Sequence, residues 1–191
     1  MSTKHANTVK WLLVPLCLCL VFLVLARHAV LKNERERAVL PLVRAAAEEF
    51  HVQTALILAV IKTESDFHPD AVSDAGAVGL MQLLPTTFSW LCEQKLCEPH
   101  NKDEILIPSV NIRYGTYYLA YLLERFGAPD TALAAYNAGE GRVEEWLSDP
   151  TLSQNGKLLT IPFPETAAYV ERVLAAREIY LEKYPDQGER S

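Results

Sequence analysis

The pattern of apolar and polar residues predicts a mostly helical protein. Apolar, alanine-rich stretches recur from about residue 38 to residue 184, and strictly alternating stretches typical of strands are scarce. Pro85, Pro108 and Pro164 can each open a helix, Asp130 can cap one, and Gly127 can end one. Helices are therefore predicted over 39–50, 54–64, 109–126 and 164–184, with further helices starting near 85 and 130 and a loop over 69–79.

The N-terminus carries a separate apolar run. Trp11 to Ala26 contains no charged residue and lies between Lys10 and Arg27. As a helix it would span about 24 Å, slightly less than a hydrocarbon core of roughly 30 Å, unless flanking residues contribute. A signal peptide cleaved after Ala26 is the alternative, and it would give a secreted protein. We expect an uncleaved membrane helix with the folded domain outside the cytoplasm. The predicted segments are a tail at 1–10, the anchor or signal segment at 11–31, a linker at 32–37, a domain at 38–184 and a tail at 185–191.

Charge and cysteine content narrow the function further. The net charge is -6 with both signs spread along the chain, so no basic stripe indicates nucleic-acid binding. Cys17 and Cys19 lie in the apolar run and act there as small apolar residues. Cys92 and Cys97 bracket a short polar stretch that permits either a disulfide in an oxidising compartment or two free thiols. No second ligand pair at zinc-site spacing accompanies them, so neither a metal nor a cofactor is predicted.

Glu64 is the first candidate for chemistry. It follows the apolar stretch 55–61 near the end of a predicted buried helix. A carboxyl group there meets low dielectric and the negative end of the helix dipole, and both favour the neutral acid. A glutamic acid that stays protonated near neutral pH can donate a proton to a leaving oxygen, as glycosidic cleavage requires. The alternative is a glutamate that ends a core helix with its carboxylate in water.

Four short strings of residues support a sugar-cleaving site. They are Glu64-Ser65, Gly79-Leu80-Met81-Gln82, Ala135-Tyr136-Asn137-Ala138-Gly139, and Glu165-Thr166 with Tyr169-Val170. In this order and at this spacing, they resemble the lytic transglycosylases of the soluble-transglycosylase-like superfamily, which is related to goose lysozyme. The resemblance covers roughly residues 40–184.

This resemblance implies a lysozyme-like fold, mostly α-helical with a small β-containing or irregular lobe. It also implies cleavage of the β-1,4 bond between N-acetylmuramic acid and N-acetylglucosamine in peptidoglycan strands. Glu64 would act alone, first as general acid and then as general base toward the muramic acid C6 hydroxyl, leaving a 1,6-anhydro end. No water would be consumed, and the N-acetyl group of the substrate would relieve the charge at C1.

The resemblance also assigns supporting roles. Tyr169 would hydrogen-bond and orient the catalytic carboxyl group, with Ser65 beside it. Substrate contacts are expected from six residues: Ser73, Met81, Gln82, Tyr136, Asn137 and Glu165. The two tyrosines could instead be core aromatics, and Glu165 a favourable first-turn carboxylate. The chain departs from the family at two positions, with Leu84 where methionine is frequent and Ile107 where an acidic residue is common.

Two other functions fit the same residues. A hydrolytic goose-type lysozyme would use a second carboxylate to activate water, and the candidates are Asp66, Asp70 and Asp74, whose other role is loop solvation. A membrane-tethered peptidoglycan-binding module of the cell-envelope machinery would keep the groove without turnover. The presence of both Glu64 and Tyr169 favours an enzyme.

Overall fold

The computed structural model describes residues 3–94 and 102–185. It is mostly helical, as predicted, and each predicted helix forms. The elements are α1 (Thr3–Phe50), α2 (Thr54–Ser65), α3 (Pro85–Glu93), a 3₁₀ helix (Lys102–Leu106), α4 (Pro108–Phe126), α5 (Pro129–Ala138), α6 (Glu140–Ser148), β1 (Ser153–Gln154), β2 (Lys157–Leu158) and α7 (Pro164–Lys183). Helix α6 was not predicted, and β-structure was expected only as the small β-containing or irregular lobe that the resemblance implies. Cys97 lies outside the described residues, so its pairing with Cys92 stays a prediction.

Proline opens four of the helices described. Pro85, Pro108, Pro129 and Pro164 each stand at the first turn, where a backbone N–H would have no partner within the helix. Helix α4 ends at Gly127, whose φ of 69° is left-handed and whose N–H donates to the Leu123 carbonyl at 2.9 Å. Pro85, Pro108 and Pro164 thus mark helix starts, and Gly127 a helix end, as predicted. The prediction that Asp130 caps α5 was wrong, because this helix begins at Pro129, its N-cap is Ala128, and Asp130 lies within its first turn.

Helix α1 contributes to two compact units of the chain. One unit is Met1–Ala38 and the other is Val39–Ser191. The predicted linker at 32–37 is helical and part of α1. In the first unit, large apolar side chains are exposed from Leu18 to Leu25. In the part of the chain whose side chains the structure describes, residues 18–94 and 103–185, no helix is long and apolar enough to cross a membrane. The first part of the anchor or signal segment predicted over 11–31 lies outside that range.

Helix α2 is the central helix of the second unit. Every residue from Ala55 to Ile61 is at most 5% exposed, so the helix is buried on all sides, as its unbroken apolar run predicts. It packs along α7, while α5 packs against α4, α6 and α7. Full burial of each large aliphatic side chain contributes about 1.5–3 kcal/mol. The C-terminal end of α2 is therefore held rigidly.

Two smaller features complete this unit. A second core cluster joins α3 and the 3₁₀ helix to α4, with the rings of Phe88 and Tyr114 4.7 Å apart. Strands β1 and β2 form an antiparallel hairpin with Ser153 opposite Leu158. Asn155 and Gly156 make its two-residue turn with φ of 52° and 74°, the left-handed values that such tight hairpins require. This hairpin is the regular β-structure in the part of the chain that is described.

Candidate active site

Glu64 meets Tyr169 at the C-terminal end of α2. The Tyr169 hydroxyl donates a hydrogen bond of 2.7 Å to Glu64 Oε1, the contact expected from the resemblance. Tyr169 is only 3% exposed because its ring belongs to the main core between α2 and α7. Glu64 keeps part of its surface exposed, so its carboxyl group can be reached by a ligand.

Burial determines the protonation of this pair. Desolvation raises the pKa of Glu64 to about 7 from its ordinary value of 4.5. The hydrogen bond from Tyr169 and the positive charge of Arg172 lower this pKa, but their combined effect is smaller. Burial also raises the pKa of Tyr169 well above its usual value, so its hydroxyl remains a donor. The direction predicted for the pKa of Glu64 is confirmed.

The chain turns sharply immediately after the candidate acid. Asp66 and Phe67 both adopt left-handed backbone conformations, with φ of 48° and 64°. Such conformations cost on the order of 1–3 kcal/mol for residues other than glycine. Burial of the Phe67 side chain, which is 0% exposed, offsets part of this cost. The turn directs the following loop, residues 66–84, back across the end of α2.

Ser65, predicted to support catalysis, and Gln82, predicted to bind substrate, also hold this loop together. The Ser65 hydroxyl lies 2.8 Å from the Leu80 carbonyl, joining the helix end to the loop. The Gln82 amide donates to the Ala71 carbonyl at 3.0 Å and the Gly79 carbonyl at 2.9 Å. Both N–H donors of Gln82 are therefore engaged, and its Oε1 is the atom that can accept a hydrogen bond from a ligand.

Asn111, which the sequence analysis missed, clamps the same loop from α4. Its Oδ1 accepts from the Met81 N–H at 2.7 Å, and its Nδ2 donates to the Val78 and Ile105 carbonyls at 2.9 Å each. A Cβ atom at Gly79 would lie 2.3 Å from Asn111 Nδ2, so this close approach requires glycine. The available signal was an amide four residues before Gly115 on the predicted core face of α4.

Met81 and Tyr136 fix the loop to the core of the domain. The Met81 side chain is 0% exposed, and a Cβ atom at Gly115 would lie 2.6 Å from its sulfur. It therefore offers no surface to a sugar in this structure, in contrast to the expectation that it binds substrate. Tyr136 donates from its hydroxyl to the Met81 carbonyl at 2.8 Å. Its ring is partly exposed, so positioning the loop and contacting a ligand are compatible roles.

The remaining predicted site residues are more exposed. Ser73 lies at the loop edge, where its Oγ accepts from the Ala77 N–H at 3.0 Å and its own hydroxyl hydrogen is left for a ligand. Asn137 follows Tyr136 at the end of α5, and Glu165 lies in the first turn of α7; both are exposed. Hydrogen bonds thus connect Glu64 to Tyr169, and connect Ser65, Gln82 and Tyr136 to the loop.

Sequence comparison relates the chain to proteins named lytic transglycosylases. The soluble lytic murein transglycosylase of Salmonella typhimurium is 35% identical over 133 residues, which are 68% of this chain and 21% of that protein. Membrane-bound lytic murein transglycosylase C of Glaesserella parasuis is 33% identical over 150 residues, 73% of this chain and 38% of that protein. The chain therefore spans about a fifth to two fifths of the length of these relatives.

Solved structures show the same relationship. The 70-kDa soluble lytic transglycosylase of Escherichia coli has a TM-score of 0.68 at 31% identity, covering 76% of this chain and 24% of that one. An inactive mutant of the lytic transglycosylase Slt of Pseudomonas aeruginosa has a TM-score of 0.67 at 36% identity, and the match covers 77% of this chain and 24% of that one. The helical fold predicted from the sequence is thus that of lytic transglycosylases. Because residues 41–157, more than half of the chain, match the family described as Transglycosylase SLT domain, the chain belongs to that family.

Proposed function

We propose that this protein is a peptidoglycan lytic transglycosylase that uses Glu64 as its single acid and base. The observation that carries the proposal is the carboxyl group of Glu64, whose pKa burial raises to about 7 while Tyr169 holds it in place. A carboxyl group with this pKa is protonated in a large fraction of molecules near neutral pH. It can therefore both give up a proton and take one back within a single turnover.

The first step is protonation of the leaving group. Glu64 gives its proton to the glycosidic oxygen between N-acetylmuramic acid and N-acetylglucosamine, and the bond from that oxygen to C1 breaks. The N-acetylglucosamine side departs with a hydroxyl group, and positive charge develops at C1 of the muramoyl unit. The N-acetyl group of that unit relieves the charge, so a second protein carboxylate is not required.

The second step closes a ring within the muramoyl unit. Glu64, now a carboxylate, removes the proton from the C6 hydroxyl, and the C6 oxygen forms a bond to C1. The product ends in a 1,6-anhydro sugar, and Glu64 is again protonated. The Tyr169 hydroxyl stabilises the intervening carboxylate with its hydrogen bond and so brings its pKa into the useful range. No water enters the balance.

Substrate positioning is assigned to the loop beside Glu64. Ser73 can donate a hydrogen bond and Gln82 Oε1 can accept one, which suits the acetamido and hydroxyl groups of the sugars. Asn111, Met81 and Tyr136 position these groups through the loop backbone. Such preorganisation is what acid–base chemistry on a bound sugar requires.

The hydrolytic alternative is less well supported by the neighbouring carboxylates. Asp66 forms an ion pair with Lys62 one turn earlier on α2. Asp70 and Asp74 are exposed on the loop, where water solvates their charge. None of these three positions combines burial with a contact to Glu64 among the interactions described. We therefore favour intramolecular attack by the C6 hydroxyl over attack by water.

The proposed substrate places the reaction outside the cytoplasm. Murein transglycosylases named soluble and named membrane-bound are both related to this chain. We infer that the domain Val39–Ser191 carries out the reaction on the cell-wall side of the cytoplasmic membrane, where peptidoglycan strands are found.

Product analysis tests the reaction directly. Purified sacculi are digested in water enriched in the heavy oxygen isotope, and the released fragments are weighed. We expect anhydro ends that contain no heavy oxygen, because the attacking oxygen comes from the substrate. Reducing ends that carry the heavy isotope would show hydrolysis and contradict the proposal. A digest with Glu64→Gln supplies the background of uncatalysed release.

A further inference from the structure

A second group of aromatic and hydroxyl side chains lies where α3 faces α4 and the start of α6. Two neighbouring depressions of about 250 Å³ and 350 Å³ meet there. The smaller is lined by Thr86, Thr87, Trp90, Tyr118 and Glu140, and the larger by Pro85, Thr86, Ser89, Trp90 and Glu93. Trp90 and Thr86 line both. We call the surface formed by these two depressions the Trp90 shelf.

The Trp90 shelf is continuous with the candidate active site. The ring of Tyr118 lies 6.4 Å from that of Trp90 and 5.4 Å from that of Tyr136, measured between centroids. Tyr136 in turn binds the Met81 carbonyl of the loop beside Glu64. After burial, the charge of Glu64 is the next largest cause that raises the pKa of Tyr136, which reflects their proximity. One row of aromatic rings therefore runs from the acid to the shelf.

The side chains of the shelf suit an uncharged, hydroxyl-rich ligand. Trp90 is partly exposed and lines both depressions, so its indole ring is placed to contact the C–H groups on one face of a sugar ring. Thr86 and Thr87 supply hydroxyl groups, and the pKa of Tyr118, raised to about 12 chiefly by burial, keeps its hydroxyl protonated. The charged residues among the described lining are Glu93 and Glu140, both acidic, so the described lining favours an uncharged ligand over an anionic one.

Glu140 adds a directional acceptor to the shelf. Its Oε2 accepts from the Tyr121 hydroxyl at 3.0 Å and lies 3.6 Å from Arg125 Nε. Both of these contacts use the same oxygen, so within the described residues Oε1 is available to accept a hydrogen bond from a sugar hydroxyl. The contacts with Tyr121 and Arg125 hold the carboxylate in place for that purpose.

We propose that the Trp90 shelf binds a sugar unit of the glycan strand away from the bond that is cleaved, with Trp90 stacked on the sugar ring. The inference rests on the proposed function, because it takes a glycan strand as the ligand. It predicts that strands long enough to reach both Glu64 and Trp90 bind more tightly than short strands that reach only the site at Glu64.

The test measures affinity against strand length in a protein that cannot cleave. Glycan strands of defined length, stripped of their peptides by an amidase, are titrated calorimetrically into the full chain carrying Glu64→Gln. Adding Trp90→Ala should weaken binding of long strands about five- to tenfold and leave short strands unchanged. Trp90→Phe should retain most of the long-strand affinity, because it keeps an aromatic face.

Tyr184→Ala is the matched control. This ring stacks on Tyr180 at 6.3 Å and lines a separate depression of about 430 Å³ with Arg44 and Glu48. Its removal should not alter the dependence on strand length. Circular dichroism establishes that each variant folds. If Trp90→Ala does not, Trp90→Leu, which keeps apolar volume but no aromatic face, provides the test and should show the same loss for long strands.

Three outcomes would overturn the Trp90 shelf as a sugar site. They are an unchanged affinity for long stripped strands, an equal loss for stripped strands of all lengths, and, when strands that still carry peptides are titrated in the same way, a loss confined to those strands. The proposed reaction is judged separately by wild-type digestion of sacculi. Anhydro products without a length effect of Trp90 would reject only the shelf, whereas a length effect without anhydro products would reject only the reaction.

Discussion

Two tyrosine–glutamate pairs in this structure have the same hydrogen bond and different surroundings. Tyr169 donates to Glu64 at 2.7 Å, and Tyr121 donates to Glu140 at 3.0 Å. The first pair lies at the end of the buried helix α2, where desolvation dominates the pKa of the acid. In the second pair, Arg125 lies 3.6 Å from the carboxylate and also donates to the Tyr121 hydroxyl at 2.9 Å.

The comparison shows that burial, rather than a tyrosine partner, prepares a carboxyl group for acid catalysis. A hydrogen bond from tyrosine stabilises the carboxylate and lowers its pKa. Only where desolvation exceeds that effect does the acid remain protonated near neutral pH. At Glu140 the guanidinium of Arg125 lies 3.6 Å from the carboxylate, an arrangement that suits a structural link between α4 and α6, and Arg125 extends this link through its ion pair with Glu144.

Removing the titratable group from the buried pair should have the largest effect. We expect Glu64→Gln to lower cleavage of sacculi by roughly 10²–10⁴-fold, because the amide keeps the shape but has no proton to transfer in either step. The measurement is the rate of muropeptide release by the folded variant. Glu178→Gln, a change at an exposed carboxylate on α7, should retain the wild-type rate. Near-normal release by Glu64→Gln would exclude the single-acid mechanism.

The same substitution should change how stability depends on pH. A folded-state pKa of about 7 means that native Glu64 holds a proton that the unfolded chain releases above about 4.5. The stability contributed by neutral Glu64 is complete below pH 4.5, is lost as the pH rises toward 7, and is constant above that. The free energy of unfolding of Glu64→Gln, measured in urea relative to that of wild type, should therefore rise by up to about 3 kcal/mol between pH 4 and pH 8. A pH-independent difference would show that burial does not perturb the acid.

Asn111→Ala should lower the free energy of unfolding by about 2–4 kcal/mol, because Asn111 holds the loop 66–84 beside the Glu64–Tyr169 pair. The substitution leaves the Met81 N–H and the Val78 and Ile105 carbonyls without their partner. Arg125→Ala is the comparison at the second pair, where exposed ion pairs contribute about 1 kcal/mol or less. Urea unfolding of both variants measures the difference. Equal losses would mean that the loop does not depend on the Asn111 clamp.

Tyr169→Phe should lower the cleavage rate roughly tenfold, since one hydrogen bond to the carboxylate is lost while its proton remains. The bond lowers the pKa of Glu64, so its removal should move the alkaline limb of the kcat/KM profile to higher pH. In wild type that limb should fall as the pH rises through about 7, because the free enzyme must carry the proton. An unchanged limb in Tyr169→Phe would reject the orienting role of this tyrosine.

Tyr121→Phe should have the smallest effect, with the alkaline limb unmoved and a stability change within about 0.5 kcal/mol. The hydroxyl group is partly exposed and its carboxylate retains Arg125. The pH–rate profile and urea unfolding check both statements. A shift of the limb comparable to that in Tyr169→Phe would show that the two tyrosine–glutamate pairs are electrostatically coupled and do not act independently.

Much of the fold could be predicted because the helix signals are local. The prolines at 85, 108 and 164 and the glycine at 127 bound their helices in the structure as expected. Helix α6 was missed because its stretch Glu140–Ser148 is mostly polar and buries only Val143 and Trp146. The hairpin of β1 and β2 has two residues in each strand, too few for alternation to be recognised.

The sequence by itself singled out Glu64, its helix and the direction of its pKa shift. An unbroken apolar run before Glu64 requires burial on every side, and burial penalises the carboxylate. Only the tertiary structure decided which side chains face that acid and which support the loop. Tyr169 hydrogen-bonds Glu64 although the two residues are 105 positions apart in the sequence. Met81 packs inward against Gly115. The side-chain amide of Asn111 hydrogen-bonds three backbone groups. Burial follows from local composition, whereas the direction and partner of a side chain depend on packing between elements distant in the chain.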